Sequence, residues 1–69
     1  MGQRVLLYSD YCSYCDEAKE VLREDLISGK IMLLNVDRNK DAGDIARMFG
    51  GVPTLIEIEN GEAHELILH

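Results

Sequence analysis

The sequence predicts an α/β fold with the element order βαβαββ. Two apolar runs, residues 5–8 and 31–36, indicate strands on either side of a segment with helical periodicity. A strand, a helix and a strand within about thirty residues form a βαβ unit, in which the two strands run parallel. The dipeptide Asn60–Gly61, between two further strand-like stretches, favours a hairpin turn. Because the chain has 69 residues without repeat or linker, we expect one domain over residues 1–69.

The first half of the chain supplies the predicted βαβ unit. Residues 5–8 are all apolar, as is typical of a strand buried on both faces. A helix is expected over residues 13–28, with acidic side chains in its first turn and Gly29 at its end. Its apolar positions recur at helical spacing: Ala18, Val21, Leu22 and Leu26. The run 31–36 then completes the unit as the second strand.

The second half of the chain predicts a short helix and a hairpin. The helix is expected over residues 41–49, with apolar side chains at Ile45, Ala46, Met48 and Phe49. Pro53 opens a third strand, since proline is tolerated where a strand begins. Alternation along that strand puts two sets of side chains on opposite faces: Leu55, Glu57 and Glu59 on one, Thr54, Ile56 and Ile58 on the other. The last strand is expected over residues 62–68.

Charge and hydropathy exclude several classes of partner. Thirteen acidic and seven basic residues give a formal net charge of −6, which disfavours nucleic acid and anionic membranes. No apolar stretch reaches the length of a membrane span, and the run 5–8 is too short for the core of a signal peptide. A cytoplasmic protein is therefore expected. In a reducing compartment, two close cysteines are usually catalytic or metal-binding.

Both cysteines lie in the stretch YSDYCSYC, where Cys12 and Cys15 are separated by two residues. A disulfide between them would stabilise the fold by only roughly 2 kcal/mol, because the loop that it closes is short. The pair sits between the end of a buried strand and the start of a helix, where backbone N–H groups and the helix dipole stabilise a thiolate. We therefore expect Cys12 to attack a disulfide and Cys15, one turn later, to resolve the mixed disulfide.

A second motif, Val52–Pro53–Thr54, lies before the third strand. With Cys12–Ser13–Tyr14–Cys15, it makes the sequence resemble the thioredoxin–glutaredoxin superfamily over nearly the whole chain. The resemblance implies a minimal thioredoxin-like fold, with a four-stranded mixed sheet in the order 2-1-3-4, two helices and no C-terminal helix. It also implies that Pro53 is a cis-proline beside the cysteines, and that the backbone of Val52 pairs with an extended substrate segment.

The details point to different branches of this superfamily. Tyr14 is similar to the glutaredoxin motif, whereas Asp10 stands near where glutaredoxins usually carry a lysine that binds glutathione. The buried carboxylate that thioredoxins place six residues before the first cysteine is Leu6 here. The electron donor is therefore expected to be either glutathione or a flavoprotein similar to thioredoxin reductase. Tyr11, Ser13 and Tyr14 are expected to contact the substrate together with Val52 and Pro53.

The predicted function is that of a thiol–disulfide oxidoreductase in electron transport and cell redox homeostasis. Its substrates would be protein or small-molecule disulfides, and it would need neither cofactor nor metal. One alternative is a glutaredoxin-type [2Fe–2S] cluster module, which Ser13 permits. Another is a metal site completed by His64 and His69, and a third is a binding module whose cysteines are incidental.

The oligomeric state is expected to be a monomer or a weak homodimer. Both branches of the superfamily continue into a helix after the last strand, whereas this sequence ends at His69. The sheet face that such a helix would cover could be occupied by a second copy of the chain. It could equally be solvated by Glu57, Glu59 and Glu65.

Overall fold

The computed structural model describes residues 2–66 and contains four strands and three helices in that range. In chain order the elements are β1 (Gln3–Tyr8), α1 (Ser13–Val21), α2 (Arg23–Ile27), β2 (Ile31–Asn35), α3 (Lys40–Met48), β3 (Thr54–Glu59) and β4 (Glu62–Leu66). None of the helices described is long and apolar enough to cross a bilayer. The predicted element order is confirmed, except that the first predicted helix is divided in two.

The four strands form one mixed sheet in the order β2-β1-β3-β4, as expected. β1 is parallel to β2 and antiparallel to β3, and β3 forms an antiparallel hairpin with β4. The central position of β1 explains its apolar run, because Val5, Leu6 and Leu7 are all buried. The C-terminal end of β1 is thereby held rigidly where the chain enters the segment with the two cysteines.

Helices cover the sheet on both faces. Ala18 of α1 packs with Leu6, Ile31 and Leu55 on one face, and the half-buried Leu22 and Leu26 extend this cluster. On the other face, Ala42 and Ala46 of α3 pack with three buried strand residues: Val5, Leu7 and Ile56. Small residues on the helices let each one approach the sheet closely. The cysteine segment is thus fixed between a buried strand and a packed helix.

The predicted helix over 13–28 is broken at Leu22, whose backbone lies outside the helical region (φ −98°, ψ 12°). Its N–H still bonds to the carbonyl of Ala18 at 3.0 Å, and its carbonyl accepts from Leu26 at 2.9 Å. No proline or glycine stands at the break. The turn lets both Leu22 and Leu26 pack on the sheet, so tertiary contacts override the local helical pattern. Val21, expected on the apolar face, is exposed.

Two further differences concern α3 and β3. α3 begins one residue earlier than predicted, because the side chain of Asn39 caps it by accepting from the Ala42 N–H at 3.0 Å. Met48, expected among its buried residues, is exposed. β3 begins at Thr54 rather than at Pro53, since the residues before it form a tight turn.

The register of the β3–β4 hairpin determines which side chains share a face of the sheet. Glu57 pairs with His64, and Glu59 pairs with Glu62, on the same face as Leu55. Glu65 instead pairs with Ile56 and lies on the opposite face, so it does not share the surface assigned to it from the sequence. The part of the predicted last strand at 67–68 lies outside the described residues.

Candidate active site

Cys12 occupies the N-cap of α1, in extended backbone conformation (φ −125°, ψ 110°). Its Sγ accepts a hydrogen bond from the Cys15 N–H at 3.2 Å, as a serine hydroxyl would at an ordinary N-cap. The sulfur is therefore aimed at the free N–H groups of the first turn, which stabilise negative charge. Since the residue is only half-buried, the sulfur is also within reach of a disulfide from solution. Cys12 thus combines a helix N-cap position with partial exposure.

Cys15 has the opposite environment. It lies one turn into α1 and is 0% exposed. Burial, together with a hydrogen bond to the Cys12 side chain, raises the pKa of the Cys15 thiol from 9.0 to about 11. The Ser9 backbone N–H and the charge of Lys19 act in the other direction and lower that pKa. At neutral pH, Cys15 is therefore a protonated thiol beside the sulfur of Cys12.

The Val52–Pro53 peptide bond is cis, as expected, and the second motif lies against the first. The Val52 carbonyl oxygen lies 3.9 Å from the Sγ of Cys12, although 40 residues separate the two in the chain. The preceding turn is held by the Gly51 N–H, which donates to Ala46 at 2.7 Å, and by the Thr54 hydroxyl, which donates to the Gly51 carbonyl. Gly51 has φ 113°, which a residue with a Cβ rarely adopts.

Three side chains of the cysteine segment, close to Cys12 in the chain, are exposed. Tyr11 is 95% exposed and Tyr14 is 70% exposed, so neither ring belongs to the core. Ser13, between the cysteines, is also exposed. Large exposed aromatic rings beside a reactive atom are suited to contact a partner. All five residues expected to contact a substrate therefore lie in the cysteine segment or in the turn facing Cys12.

The loop between β1 and α1 is held by contacts that sequence reasoning missed. Ser9 donates from its hydroxyl to Asp37 at 2.6 Å, and the same oxygen accepts weakly from the Tyr11 N–H at 3.4 Å. Asp10 and Arg38 lie 3.9 Å apart, so the acid near Cys12 has a cation beside it. These contacts join segments 28 residues apart. Only the register of the parallel strands, which brings Tyr8 opposite Asn35, could have suggested them.

Lys19 of α1 contacts the last residue of β1. Its Nζ lies 3.9 Å from the centroid of the Tyr8 ring, a cation–π geometry. Tyr8 is the last residue of β1 and is half-buried, as expected for a residue at a strand end. The ammonium group is thus fixed between the strand end and α1.

The alternative metal sites have no counterpart within residues 2–66, where no three His, Cys, Asp or Glu side chains converge as a metal would require. His64 lies on β4, at the edge of the sheet, and contacts Glu62 at 3.6 Å. His69 is outside the described residues. Cys12 and Cys15 are both free thiols.

Comparison with known proteins bears on the fold. No family model matches the sequence, and no curated protein matches it either. Among solved structures, the chain is similar to the solution structure of a thioredoxin from Thermus thermophilus, with a TM-score of 0.54 and 20% sequence identity. The match covers 93% of this chain and 57% of that thioredoxin, so the chain spans little more than half the length of its structural neighbour. Together with the 2-1-3-4 sheet, this likeness establishes a thioredoxin-like fold.

Proposed function

We propose that the protein is a thiol–disulfide oxidoreductase that reduces disulfides, mainly those of proteins, by cycling Cys12 and Cys15 between dithiol and disulfide. One observation carries the proposal: the half-exposed Cys12 sulfur caps α1 at 3.2 Å from the Cys15 N–H and faces the Val52 carbonyl at 3.9 Å. A partly exposed thiol, a buried second thiol and the backbone carbonyl of the facing turn are thereby brought together.

The first step uses Cys12 as the nucleophile. Its thiolate attacks one sulfur of the substrate disulfide, a mixed disulfide forms, and the other substrate sulfur leaves as a thiolate that takes up a proton. The exposed Tyr11, Ser13 and Tyr14 contact the substrate on one side of Cys12. On the other side, Val52 and Pro53 present the backbone carbonyl to an extended segment.

The second step uses Cys15. After losing its proton, its thiolate attacks the Cys12 sulfur and releases the second substrate thiolate, which is then protonated. The Cys12–Cys15 disulfide remains, and the protein has given two electrons to the substrate disulfide. The raised pKa of Cys15 keeps it protonated between turnovers, so that Cys12 alone attacks substrates. An external donor, either glutathione or a flavoprotein of the thioredoxin reductase kind, then restores the dithiol.

Reduction of a protein disulfide tests the proposal. Wild-type protein is assayed with insulin and NADPH, once with glutathione and glutathione reductase and once with a thioredoxin reductase. We expect turnover in at least one arm, none for Cys12→Ser, and a trapped mixed disulfide for Cys15→Ser, detected by mass spectrometry. No turnover in either arm, together with an unreactive Cys12, would overturn the proposal. Visible absorption by anaerobically purified protein would instead support the cluster alternative.

A further inference from the structure

We infer that Lys19, held over the ring of Tyr8, is a positioning residue that stabilises the thiolate of Cys15 in the resolving step. This inference rests on the proposed function and deepens it, because it assigns an electrostatic partner to the second thiol. Lys19 acts on Cys15, so its effect belongs to the half-reaction that Cys15 performs.

The four-residue spacing places the side chains of Lys19 and Cys15 on the same face of α1. Lys19 follows Cys15 by four residues in α1, and residues with this spacing lie on the same helix face, about 5–6 Å apart at their Cβ atoms. The side chain is half-buried, and its Nζ is anchored 3.9 Å from the centroid of Tyr8. None of the ion pairs formed within residues 2–66 involves Lys19, so its charge is not neutralised by a carboxylate there.

Cys15 needs such a partner because it is fully buried. Ala18, three residues later on α1, is buried as well and packs in the cluster that contains Leu6. Burial and the contact with Cys12 raise the pKa of the Cys15 thiol to about 11, whereas the Ser9 N–H and, to a smaller extent, the charge of Lys19 lower it. The groups that act on the thiol are thus Cys12 at the N-cap of α1, Lys19 within α1, and the Ser9 N–H after β1.

The charge changes in the resolving step define what Lys19 does. Cys15 releases its proton to water, and its thiolate bonds to the Cys12 sulfur while the substrate sulfur departs with the bonding electrons and is protonated. Negative charge appears transiently on the buried sulfur. Lys19 keeps its own proton throughout and lowers the cost of that charge by electrostatic attraction. Its removal should therefore slow resolution most where Cys15 is still protonated.

The two half-reactions can be timed separately with 4,4′-dithiodipyridine, an uncharged disulfide. Reduced protein releases one thiopyridone when Cys12 attacks and a second when Cys15 resolves, and only the first rate depends on reagent concentration. We expect Lys19→Met to slow the second release by about threefold to tenfold at pH 7–8, because one neighbouring positive charge is lost, and to move its pH midpoint upward. The first release should change less than about twofold by the same argument.

Matched variants separate charge from packing. Lys19→Arg keeps a cation and should resolve nearly as fast as wild type. Tyr8→Phe keeps the ring and should behave likewise, whereas Tyr8→Leu removes the anchor and should resemble Lys19→Met. Lys30→Met makes the same charge change at an exposed residue before β2 and should leave both releases unchanged.

The outcomes distinguish this inference from the proposed function. A Lys19→Met pH profile that coincides with those of wild type and Lys30→Met would overturn the role of Lys19. Equal slowing by Lys19→Arg and Lys19→Met would overturn it too, because it would indicate packing. A wild-type protein that releases only one thiopyridone would contradict the dithiol cycle itself.

Discussion

At the level of single residues, the site depends on the contrast between two thiols three positions apart. Cys12 takes the place of a capping hydroxyl and stays open to solvent, whereas Cys15 is 0% exposed. One helical turn is enough to separate them, because the side chain at the N-cap projects from the helix end and the one at the third helical position points into the core. The same helical turn thus leaves the Cys12 thiol partly exposed to solvent and buries the Cys15 thiol.

The buried thiol makes stability depend on pH. The pKa of Cys15 is about 11 in the folded protein against an ordinary value of 9.0, so the unfolded chain loses this proton first. The resulting stabilisation is complete below pH 9 and is lost as pH rises through the folded pKa. We expect the free energy of unfolding of the reduced protein to fall by about 2 kcal/mol more than that of Cys15→Ala across this range.

Urea denaturation under reducing conditions, repeated at a series of alkaline pH values, measures this difference. Titration of tyrosines and lysines is common to both proteins and cancels in the comparison. If the free energies of unfolding of wild type and Cys15→Ala changed with pH in parallel, the pKa of Cys15 would be the same in the folded and unfolded states. The prediction would then be wrong.

The two exposed tyrosines give a second prediction for single residues. Replacing Tyr11 or Tyr14 with Ala should lower kcat/KM for a protein disulfide by about threefold to tenfold, since an exposed aromatic contact contributes about 1 kcal/mol to association. Stability should change by no more than about 0.5 kcal/mol, because neither ring is buried. Met48→Ala, at a comparably exposed apolar residue on α3, serves as the control and should leave kcat/KM unchanged. An equal effect of all three substitutions would contradict a substrate-contacting role for the tyrosines.

At the level of elements, local signals in the sequence predicted the strands better than the helix ends. The run 5–8 predicted β1 because a strand in the middle of a covered sheet is apolar on both faces. The break at Leu22 has no local cause, since it follows from docking Leu22 and Leu26 on the sheet. Asn39 is a residue type that often caps helices, and its position before α3 could have been found from the sequence.

The cap of α3 can be tested by substitution. Asn39→Ala removes the acceptor for the Ala42 N–H, now bonded at 3.0 Å, and should cost about 1 kcal/mol of unfolding free energy. Asn39→Asp keeps an acceptor oxygen and should cost little. Urea denaturation near pH 7 gives both values. If alanine and aspartate were equally tolerated, this hydrogen bond would contribute nothing to stability.

The candidate site was predicted only in part, for a related reason. We expected Cys12 to lie beside Val52–Pro53 because both motifs resemble those of the thioredoxin–glutaredoxin superfamily. The structure places the Val52 carbonyl oxygen 3.9 Å from the Cys12 Sγ. The contacts of Ser9 with Asp37, and of Asp10 with Arg38, belong to no motif. They depend on which loops meet at the end of the parallel β1–β2 pair, and side-chain geometry at that edge is not encoded in local periodicity.

For the whole molecule, the sheet separates the reactive end from a polar end. Cys12 follows the C-terminal end of β1, while Arg4, near the other end of that strand, lies 3.9 Å from Glu57. Glu57 and His64 are paired on the α1 side of the sheet. Polar side chains thus populate the part of this face most distant from the cysteines. Solvation of the face by Glu57 and Glu59 agrees with this arrangement, and weak dimerisation stays a prediction.

The net charge of −6 should select among substrates by their charge. Asp10 and Asp16 lie on either side of Cys12 in the chain, and Asp10 is 3.9 Å from the exposed Arg38. At low ionic strength, we expect reduced protein to react about threefold to thirtyfold faster with cystamine, a dication, than with dithiodiglycolate, a dianion. The ratio should shrink towards unity in salt of several hundred millimolar, because the screening length is then only about 3–5 Å.

Acid quenching, alkylation of free thiols and mass spectrometry would give both rates, after correction for the intrinsic reactivity of each disulfide with a small neutral dithiol. Two charge reversals of equal size separate the effect of a charge near Cys12 from the effect of net charge. They are Asp16→Lys in the first turn of α1 and Glu62→Lys at the distant hairpin. Because a charge acts most strongly within a screening length, Asp16→Lys should lower the cystamine preference more than Glu62→Lys. Equal effects would assign the preference to net charge, and a faster reaction with the dianion would contradict the prediction, because positive charge would then dominate the field at Cys12.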